Sequence, residues 1–336
     1  MDLELKGAAQ ALLKEAKLGP LVDIRPLPGG ANNRVFLVEH AAGKALLKAY
    51  FRKPGERDRL ASEFAFSQFL RRANALAAPE ALACDERSGL ALFEFIEGRS
   101  CGAKDVDEAA VRQAAVFVRE INARPDAEAK NFPLAADACL SPFAHADLVN
   151  RKLAVLDSVR PVSAVDLEAA AFLSKAFRPA WERALKTFLG KAKDDRNDLP
   201  ATERRLSPSD FGFHNAMVEP DGRLRFFDFE YAGWDDPAKL VADFFGQVAL
   251  PVDDRFLPVF LEEAHLLDER LQERLRWAIP THRYKWVCLV LNEFTPGAQE
   301  RRRFASDVDI EERKALQLKK AKAALERAKE PLQWHI

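Results

Sequence analysis

Residues 207–215 read Ser-Pro-Ser-Asp-Phe-Gly-Phe-His-Asn, and residues 226–230 read Phe-Phe-Asp-Phe-Glu. Asp210 and Asn215 therefore lie on one loop, and Asp228 follows at the end of a strand-like run. Metal-assisted phosphoryl transfer uses such a set, in which one carboxylate orients the incoming hydroxyl group while an amide oxygen and a second carboxylate hold Mg²⁺. Mg²⁺ prefers hard oxygen ligands, which Asn and Asp supply. Because Asp and Asn are also common turn formers, the rest of the chain must support this interpretation.

The sequence around these segments is mainly helical. Short strand-like runs flank the turn Glu219-Pro220-Asp221-Gly222 within residues 203–231. Three stretches with helical spacing precede this segment, at 105–123, 143–158 and 166–192. Helices resume from about Pro237 to the end. The chain beyond residue 98 is therefore predicted to be a helical unit that contains one short segment of strands.

The first 98 residues follow a different pattern. An amphipathic helix over 3–18 ends before Gly19-Pro20. The segments that follow have strand or helix periodicity: strands at 34–38 and 45–50 around the turn 41–43, a helix at 56–72, and strands at 80–84 and 90–96. We predict a sheet with one long helix in residues 1–98, a larger helical unit in residues 99–336, and a boundary near Gly98-Arg99-Ser100.

Composition and charge narrow the class of protein. With 48% hydrophobic and 31% charged residues, the 336-residue chain has the composition of neither a disordered protein nor a multi-span membrane protein. Its 51 basic and 52 acidic side chains give a formal charge of -1, so no global positive field favours nucleic-acid binding. The sequence does not indicate an oligomeric state.

Cysteine spacing and the N-terminus bear on the compartment. The four cysteines, Cys84, Cys101, Cys139 and Cys288, are scattered, a pattern that indicates neither a structural zinc site nor a disulfide framework. The N-terminus lacks a basic patch followed by an apolar stretch, and no apolar run approaches the roughly 20 residues that cross a bilayer. We expect a cytoplasmic protein.

The two opening segments resemble the aminoglycoside phosphotransferase and choline kinase superfamily, whose loop reads H-x-D-x-x-x-x-N and is followed by I-D-F/W-E and G-D-P. The matching residues are Asp210, Asn215, Asp228, Glu230, Gly233, Trp234, Asp236 and Pro237. The resemblance implies a protein-kinase-like two-lobed α+β fold, with a small antiparallel-sheet N-lobe and a larger helical C-lobe. It also implies ATP and Mg²⁺ as cofactors, Asp210 as the catalytic residue, and Asn215 and Asp228 as the metal ligands.

The resemblance extends to the N-terminal unit. Residues 29–33 are similar to the family's GG-x-[ST]-N nucleotide loop, which implies that Gly29, Gly30 and Asn33 contact the nucleotide. Lys48 matches the lysine that contacts the phosphates, and Glu63 matches its ion-pair partner. Residues 93–98 resemble the hinge, where the backbones of Glu94 and Ile96 would receive adenine. Taken alone, Lys48 could be a solvated residue on an edge strand and Glu63 half of an exposed helical pair.

The chain departs from the family pattern in the loop itself. Pro208 occupies the position of the family's His, and Ser209 occupies the position where Gly is usual. The resemblance implies transfer of the γ-phosphoryl group of ATP to a hydroxyl group of a small molecule: an amino alcohol, a sugar, an aminoglycoside or a lipid-like alcohol. The alternative is a nucleotide-binding pseudokinase with a regulatory or scaffolding role. A protein kinase is disfavoured because no Ala-Pro-Glu segment follows Asp228.

Some residues have two interpretations. An acceptor pocket could use the aromatic residues Trp234, Trp277, Tyr284, Trp286 and Phe294, with Asp243 and Glu293 attracting a cationic acceptor. Positions in a helical core explain the aromatic residues more simply. For His214 we favour a packing or backbone-bonding role. The remaining histidines, His40, His145, His265, His282 and His335, are too widely spread in the sequence to predict a site.

The C-terminal helix predicted over 311–329 is rich in basic residues. It could contact an anionic membrane or an acidic partner. Its apolar face consists mostly of Ala with three Leu residues, which is thin for membrane insertion, so a solvated docking helix is favoured.

Overall fold

One antiparallel sheet of five strands lies in the N-terminal part of the computed structural model, which describes residues 3–28, 32–123, 125, 127–191, 198–305 and 309–334. The strands are β1 (Leu21–Leu27), β2 (Arg34–His40), β3 (Gly43–Ala49), β4 (Ala81–Asp85) and β5 (Leu90–Glu94). Their order in the sheet is β1-β2-β3-β5-β4. The predicted hairpin is confirmed, since β2 and β3 pair from Arg34 opposite Ala49 to His40 opposite Gly43.

Two helices pack against this sheet. The first, α1 (Leu3–Glu15), buries Leu12 and Leu13 against the same core as Ile24 and Leu47. The second, α2 (Arg59–Arg72), begins where the Asp58 side chain accepts a hydrogen bond from the Ala61 backbone N–H. This cap explains why the helix starts slightly later than the predicted residue 56.

The rest of the chain is mainly helical. The helices are α3 (Glu108–Ala123), α4 (Pro142–Asp157), α5 (Ala164–Phe172), α6 (Arg178–Lys191), α7 (Pro237–Gly246), α8 (Leu257–Glu263), α9 (Glu269–Val290), α10 (Pro296–Ala305) and α11 (Ile310–Lys329). The single helix predicted over 166–192 is instead α5 and α6, joined by a π-helical turn at Leu173–Phe177. The predicted α+β class, with a sheet first and helices after it, is confirmed.

Five short strands interrupt the helices and hold the candidate site. They are β6 (Arg99–Ser100), β7 (Arg205–Ser207), β8 (Ala216–Val218), β9 (Leu224–Phe226) and β10 (Gly233–Asp235). Strands β6, β8 and β9 form one sheet, and β7 pairs with β10 in another. Residues 208–215 therefore lie between β7 and β8, and Asp228 lies between β9 and β10.

A cluster of buried phenylalanine rings lies beneath these loops. Phe117 of α3 stacks on Phe226 with ring centroids 5.1 Å apart, and Phe211 stacks on Phe244 of α7 at 5.3 Å. All four side chains are at most 3% exposed. Because such interiors are close-packed, this cluster gives the two loops a rigid base.

The C-terminal helix docks on the protein through one face. Leu318, Ala321 and Leu325 of α11 are buried in the main hydrophobic core, and α11 contacts α9 and α5. Within the described part of the chain, no helix combines the length and apolar character that spanning a membrane requires.

Candidate active site

The loop between β7 and β8 has an unusual backbone. Ser209 and Asp210 adopt φ angles of +52° and +44°, in the left-handed region that non-glycine residues seldom occupy. The Ser209 N–H donates to the hydroxyl oxygen of Ser207 at 3.1 Å, and Asn215 Nδ2 donates to the Asp210 carbonyl at 3.0 Å. These contacts hold the loop although Pro208 stands at the family's His position.

Asp210 has a side-chain partner within the same loop. Its Oδ1 atom lies 3.3 Å from Nε2 of His214, and 36% of the Asp210 side chain is exposed. Burial raises the pKa of Asp210, but the hydrogen bond and charge of His214 and the charge of Lys285 outweigh this effect and hold the pKa below its ordinary value. Asp210 is therefore an ionised carboxylate at neutral pH, as a proton acceptor must be.

Lys48 brings the N-terminal sheet and the β9–β10 loop together. Its ammonium group lies 2.6 Å from Oε2 of Glu63 on α2, contacts Oδ1 of Asp228, and is 4.0 Å from Oε2 of Glu230. The Tyr50 hydroxyl donates to the same Glu63 oxygen at 2.6 Å. The structure thus places Lys48, Glu63 and Asp228 side by side. Tyr50 was not predicted, although the two-residue period of a strand puts it on the same face as Lys48.

The charges of this cluster are unequal. Burial would lower the pKa of Lys48, but Asp228, Glu63 and Glu230 outweigh burial and raise it. The pKa of Asp228 is raised to about 7, first by burial and then by the neighbouring carboxylates, against the attraction of Lys48. Negative charge at Asp228 is therefore incompletely balanced by the protein.

These residues fit the magnesium ion that the family pattern implies. Carboxylate oxygens of Glu63, Asp228 and Glu230 lie within 4.8 Å of one another. Asn215 uses its Nδ2 atom on the Asp210 carbonyl, so its Oδ1 atom is the one able to ligate a cation. An excess of hard oxygen donors beside an incompletely balanced carboxylate is the environment that Mg²⁺ prefers.

Glu230 connects the segment before β2 to the loop between β9 and β10 that carries Asp228. It is fully buried, accepts hydrogen bonds from Asn33 Nδ2 at 2.7 Å and Asn32 Nδ2 at 3.2 Å, and lies 4.0 Å from Arg59 NH1. The predicted nucleotide contact Asn33 is thus only 3% exposed, and its side chain binds the protein itself. The sequence signal for Glu230 was its position two residues after Asp228, but no role had been assigned to it.

The predicted hinge follows β5. The Glu94 N–H donates to the Glu80 carbonyl at 2.9 Å, so the carbonyl oxygen is the backbone group of Glu94 that could contact adenine. Ile96 lies in the short segment between β5 and β6. A Cβ atom at Gly98 would lie 2.5 Å from the Val218 carbonyl oxygen, so glycine is required where this segment crosses β8.

Gly29 and Gly30, the other predicted nucleotide contacts, lie outside the described residues.

Tyr231 lies near both parts of the candidate site, the residues around Asp228 and the loop that carries Asp210. Burial is the largest cause of its raised pKa, and the charges of Glu230, Asp228 and Asp210 add to that increase. The Tyr231 side chain therefore lies within electrostatic reach of both Asp228 and Asp210.

The interpretation of Asp243 as an attractor for a cationic acceptor is wrong. Asp243 is 3% exposed, its carboxylate lies 2.9 Å from Lys239 Nζ and 3.1 Å from His282 Nδ1, and it contacts Lys285 Nζ. These partners hold the pKa of Asp243 well below its usual value against the effect of burial. Its charge is neutralised inside the protein.

The same interpretation is wrong for Glu293. It is 4% exposed and lies 2.6 Å from Arg302 Nε and 2.9 Å from Arg313 Nε. Helical-core positions are confirmed for Trp277, Tyr284 and Phe294, which are buried in the main core. Trp286 differs, because its ring lies edge-on to His214 with centroids 6.2 Å apart.

Two of the histidines that the sequence assigned to no site lie together in the structure. His145 Nδ1 on α4 lies 2.8 Å from His282 Nε2 on α9, and both side chains are fully buried. Cys139 lies beside them, with ligand atoms of all three residues within 4.8 Å. Packing of α4 against α9 joins residues that are 137 positions apart.

Comparisons with known proteins agree with this geometry. A sequence profile of the family described as "Phosphotransferase enzyme family" matches residues 23–278. The comparison with curated proteins gave no match.

Solved structures of similar fold are protein-kinase-like. A spectinomycin phosphotransferase in complex with ADP and spectinomycin has a TM-score of 0.65 at 13% identity, over 96% of this chain and 97% of that one. A choline kinase from Streptococcus pneumoniae has a TM-score of 0.58 at 14% identity, over 96% and 99%. A choline/ethanolamine kinase family protein from Mesorhizobium loti has a TM-score of 0.57 at 17% identity, over 95% of each chain. At these identities the likeness shows the two-lobed fold alone, as predicted.

Proposed function

The chain belongs to the phosphotransferase enzyme family, and from this membership and the site geometry we propose that it transfers the γ-phosphoryl group of ATP to a hydroxyl group of a small molecule. The observation that carries the proposal is the meeting of Lys48 and Glu63 with Asp228. A lysine held by a glutamate and facing a metal-binding aspartate is the arrangement that positions nucleotide phosphates in kinases.

Each polar group then has a role. Lys48, oriented by Glu63, binds the phosphates, and a phosphate oxygen replaces Asp228 as one partner of its ammonium group. Asn215 and Asp228 would hold Mg²⁺, which would neutralise phosphate charge at that position. The carbonyl of Glu94 and the N–H of Ile96 receive adenine, at a hinge between lobes formed by residues 1–98 and 99–336.

Asp210 orients the acceptor hydroxyl group and takes its proton. As the acceptor oxygen bonds to the γ-phosphorus, the bond from that phosphorus to the β–γ bridging oxygen breaks. The products are ADP, the phosphate monoester and the proton that Asp210 received. The transferred group passes through a loose transition state, so the protein contributes mainly by positioning the reactants and balancing charge.

The acceptor class is a hydroxyl-bearing small molecule. The similar structures include choline and ethanolamine kinases and a spectinomycin phosphotransferase, so these three alcohols are the first candidates, followed by sugars and lipid-like alcohols. Asp243 and Glu293 are neutralised inside the protein, so attraction of a cation by these two acids does not enter the proposal.

The test is a screen of these alcohols with the purified protein, ATP and Mg²⁺, following ADP release and detecting the phosphate ester by mass spectrometry. Asp210→Asn should reduce turnover by about 100-fold or more while ATP affinity, measured by calorimetry, changes little. Asp23→Asn is the matched control, because Asp23 is an exposed residue of β1.

Three results would separate the alternatives. Ester formation that depends on Asp210 supports the proposal. Binding of Mg²⁺-ATP without transfer to any alcohol favours the nucleotide-binding pseudokinase. Equal loss of turnover and nucleotide affinity in Asp210→Asn contradicts the role given to Asp210.

A further inference from the structure

His214 has the geometry of a group that orients Asp210. Its Nε2 atom lies 3.3 Å from Asp210 Oδ1. Since a carboxylate only accepts, Nε2 carries the hydrogen. Nδ1 of the same ring is buried without a hydrogen-bond partner in the described structure. A polar atom buried without a partner is unfavourable, so packing alone is a poor explanation for a histidine at this position.

The surroundings hold the imidazole ring in place. Trp286 meets it edge-on, with an interplanar angle of 86°. Gly212 provides space beside the ring, because a Cβ atom there would lie 2.9 Å from His214 Nδ1 and 3.2 Å from Cε1. The ring is thus packed close to an aromatic side chain and to a residue without a side chain.

Asp210 needs such a partner. Its backbone is in the left-handed region, and its carbonyl is fixed by Asn215, but neither feature sets the rotation of the carboxylate. With Oδ1 bound to His214, Oδ2 is the oxygen left to receive a substrate hydroxyl group.

We propose that His214 is a positioning residue for Asp210, whose Nε2–H bond to Oδ1 fixes the carboxylate so that Oδ2 accepts the proton of the acceptor hydroxyl group. This inference rests on the proposed function, because it assigns His214 a part in the same transfer. Gly212 supports the arrangement by leaving room for the ring.

The test compares two amides that place a donor differently. In His214→Gln the side-chain nitrogen can occupy the position of Nε2, whereas in His214→Asn it corresponds to Nδ1. We expect kcat to fall roughly 10- to 100-fold in His214→Ala and His214→Asn, and His214→Gln to recover most of that loss. The KM for ATP should stay within about twofold in all three variants, because positioning of Asp210 affects the chemical step. Melting temperatures of the Gln and Asn variants control for folding.

A variant that crowds the imidazole ring of His214 tests the same contact. Gly212→Ala should also lower kcat, because its Cβ atom would lie 2.9 Å from His214 Nδ1 and 3.1 Å from Cγ of Gln247. Equal kcat values for the Gln and Asn variants, or an unchanged kcat in His214→Ala, would overturn the inference and leave the proposed function standing. A wild-type protein that phosphorylates no alcohol would overturn the proposed function, and this inference with it.

Discussion

The ammonium group of Lys48 contacts Oδ1 of Asp228, and this contact joins strand β3 of the N-terminal sheet to the loop after β9. The same ammonium group is held by Glu63 at 2.6 Å. Only one of these two carboxylates is assigned to the metal, so a divalent cation and phosphates can enter while Glu63 continues to orient the lysine.

Asp228→Asn should lose activity and gain stability. The pKa of Asp228 is raised to about 7 in the folded protein, so its stabilising contribution is complete below about pH 4 and is lost as the pH rises through 7. Asparagine does not titrate, and the variant should be more stable than wild type by roughly 1 kcal/mol or more at pH 8. Turnover should fall about 100-fold or more.

Thermal unfolding at pH 5 and pH 8, without nucleotide, measures this difference. The stability gain of Asp228→Asn over wild type should be larger at pH 8 than at pH 5. Asp23→Asn on β1 should show no such difference. A stability gain at pH 5 that equals or exceeds the gain at pH 8 contradicts the pKa assigned to Asp228.

Glu230→Gln should destabilise the protein and weaken nucleotide binding. Glu230 is fully buried and accepts from Asn33, with Lys48 and Arg59 each 4.0 Å away. A neutral amide leaves those cations less compensated and directs an N–H group at other donors, which should cost about 2–4 kcal/mol. Urea unfolding measures the loss, and calorimetry should show weaker ATP binding.

The control for this change is Glu326→Gln. The Glu326 side chain is 70% exposed and is paired only with Lys329 among the ion pairs of the described residues. The stability of the Glu326→Gln variant should therefore differ from that of wild type by about 0.5 kcal/mol or less. If both variants unfold at the same urea concentration, Glu230 does not connect the two halves of the site as described.

The resemblance to the family implied the ion pair between Lys48 and Glu63, which the structure contains. Local sequence pattern alone was insufficient, because it also allowed both residues to be exposed. Helical periodicity indicated that Asp243 and His282 lie on helices, but it does not tell which helices pack together. Lys239 neutralises Asp243 from within α7, but the contacts of His282 and Lys285 come from α9, whose packing on α7 is a tertiary property.

Gly98→Ala should destabilise the protein, because the added Cβ atom would meet the Val218 carbonyl oxygen at 2.5 Å. Backbone atoms cannot rotate away as a flexible side chain can, so the segment between β5 and β6 or strand β8 must shift, at a cost of about 1–3 kcal/mol. Gly7→Ala is the matched control, since Gly7 lies in α1 with nothing within 4 Å of the added atom. That variant should gain about 0.5–1 kcal/mol from helix propensity. The urea concentration at the midpoint of unfolding should therefore fall for Gly98→Ala and rise for Gly7→Ala. Equal shifts of the two midpoints would contradict the close packing at Gly98.

His282 should make stability depend on pH above the range where carboxylates titrate. Burial lowers the pKa of His282 to about 3, whereas an unfolded histidine titrates near 6.5. Between these values the unfolded chain binds a proton that the folded protein does not, so stability is lost as the pH falls below about 6.5, with a slope approaching roughly 1.4 kcal/mol per pH unit. His282→Asn keeps a donor near the Nδ1 position that faces Asp243 and should flatten this slope.

Urea unfolding between pH 7.5 and pH 5 measures the slope for both proteins. His265→Asn is the control, because His265 is exposed and its φ angle of +56° suits asparagine. Its slope should match that of wild type. Equal slopes for wild type and His282→Asn would contradict the lowered pKa of His282.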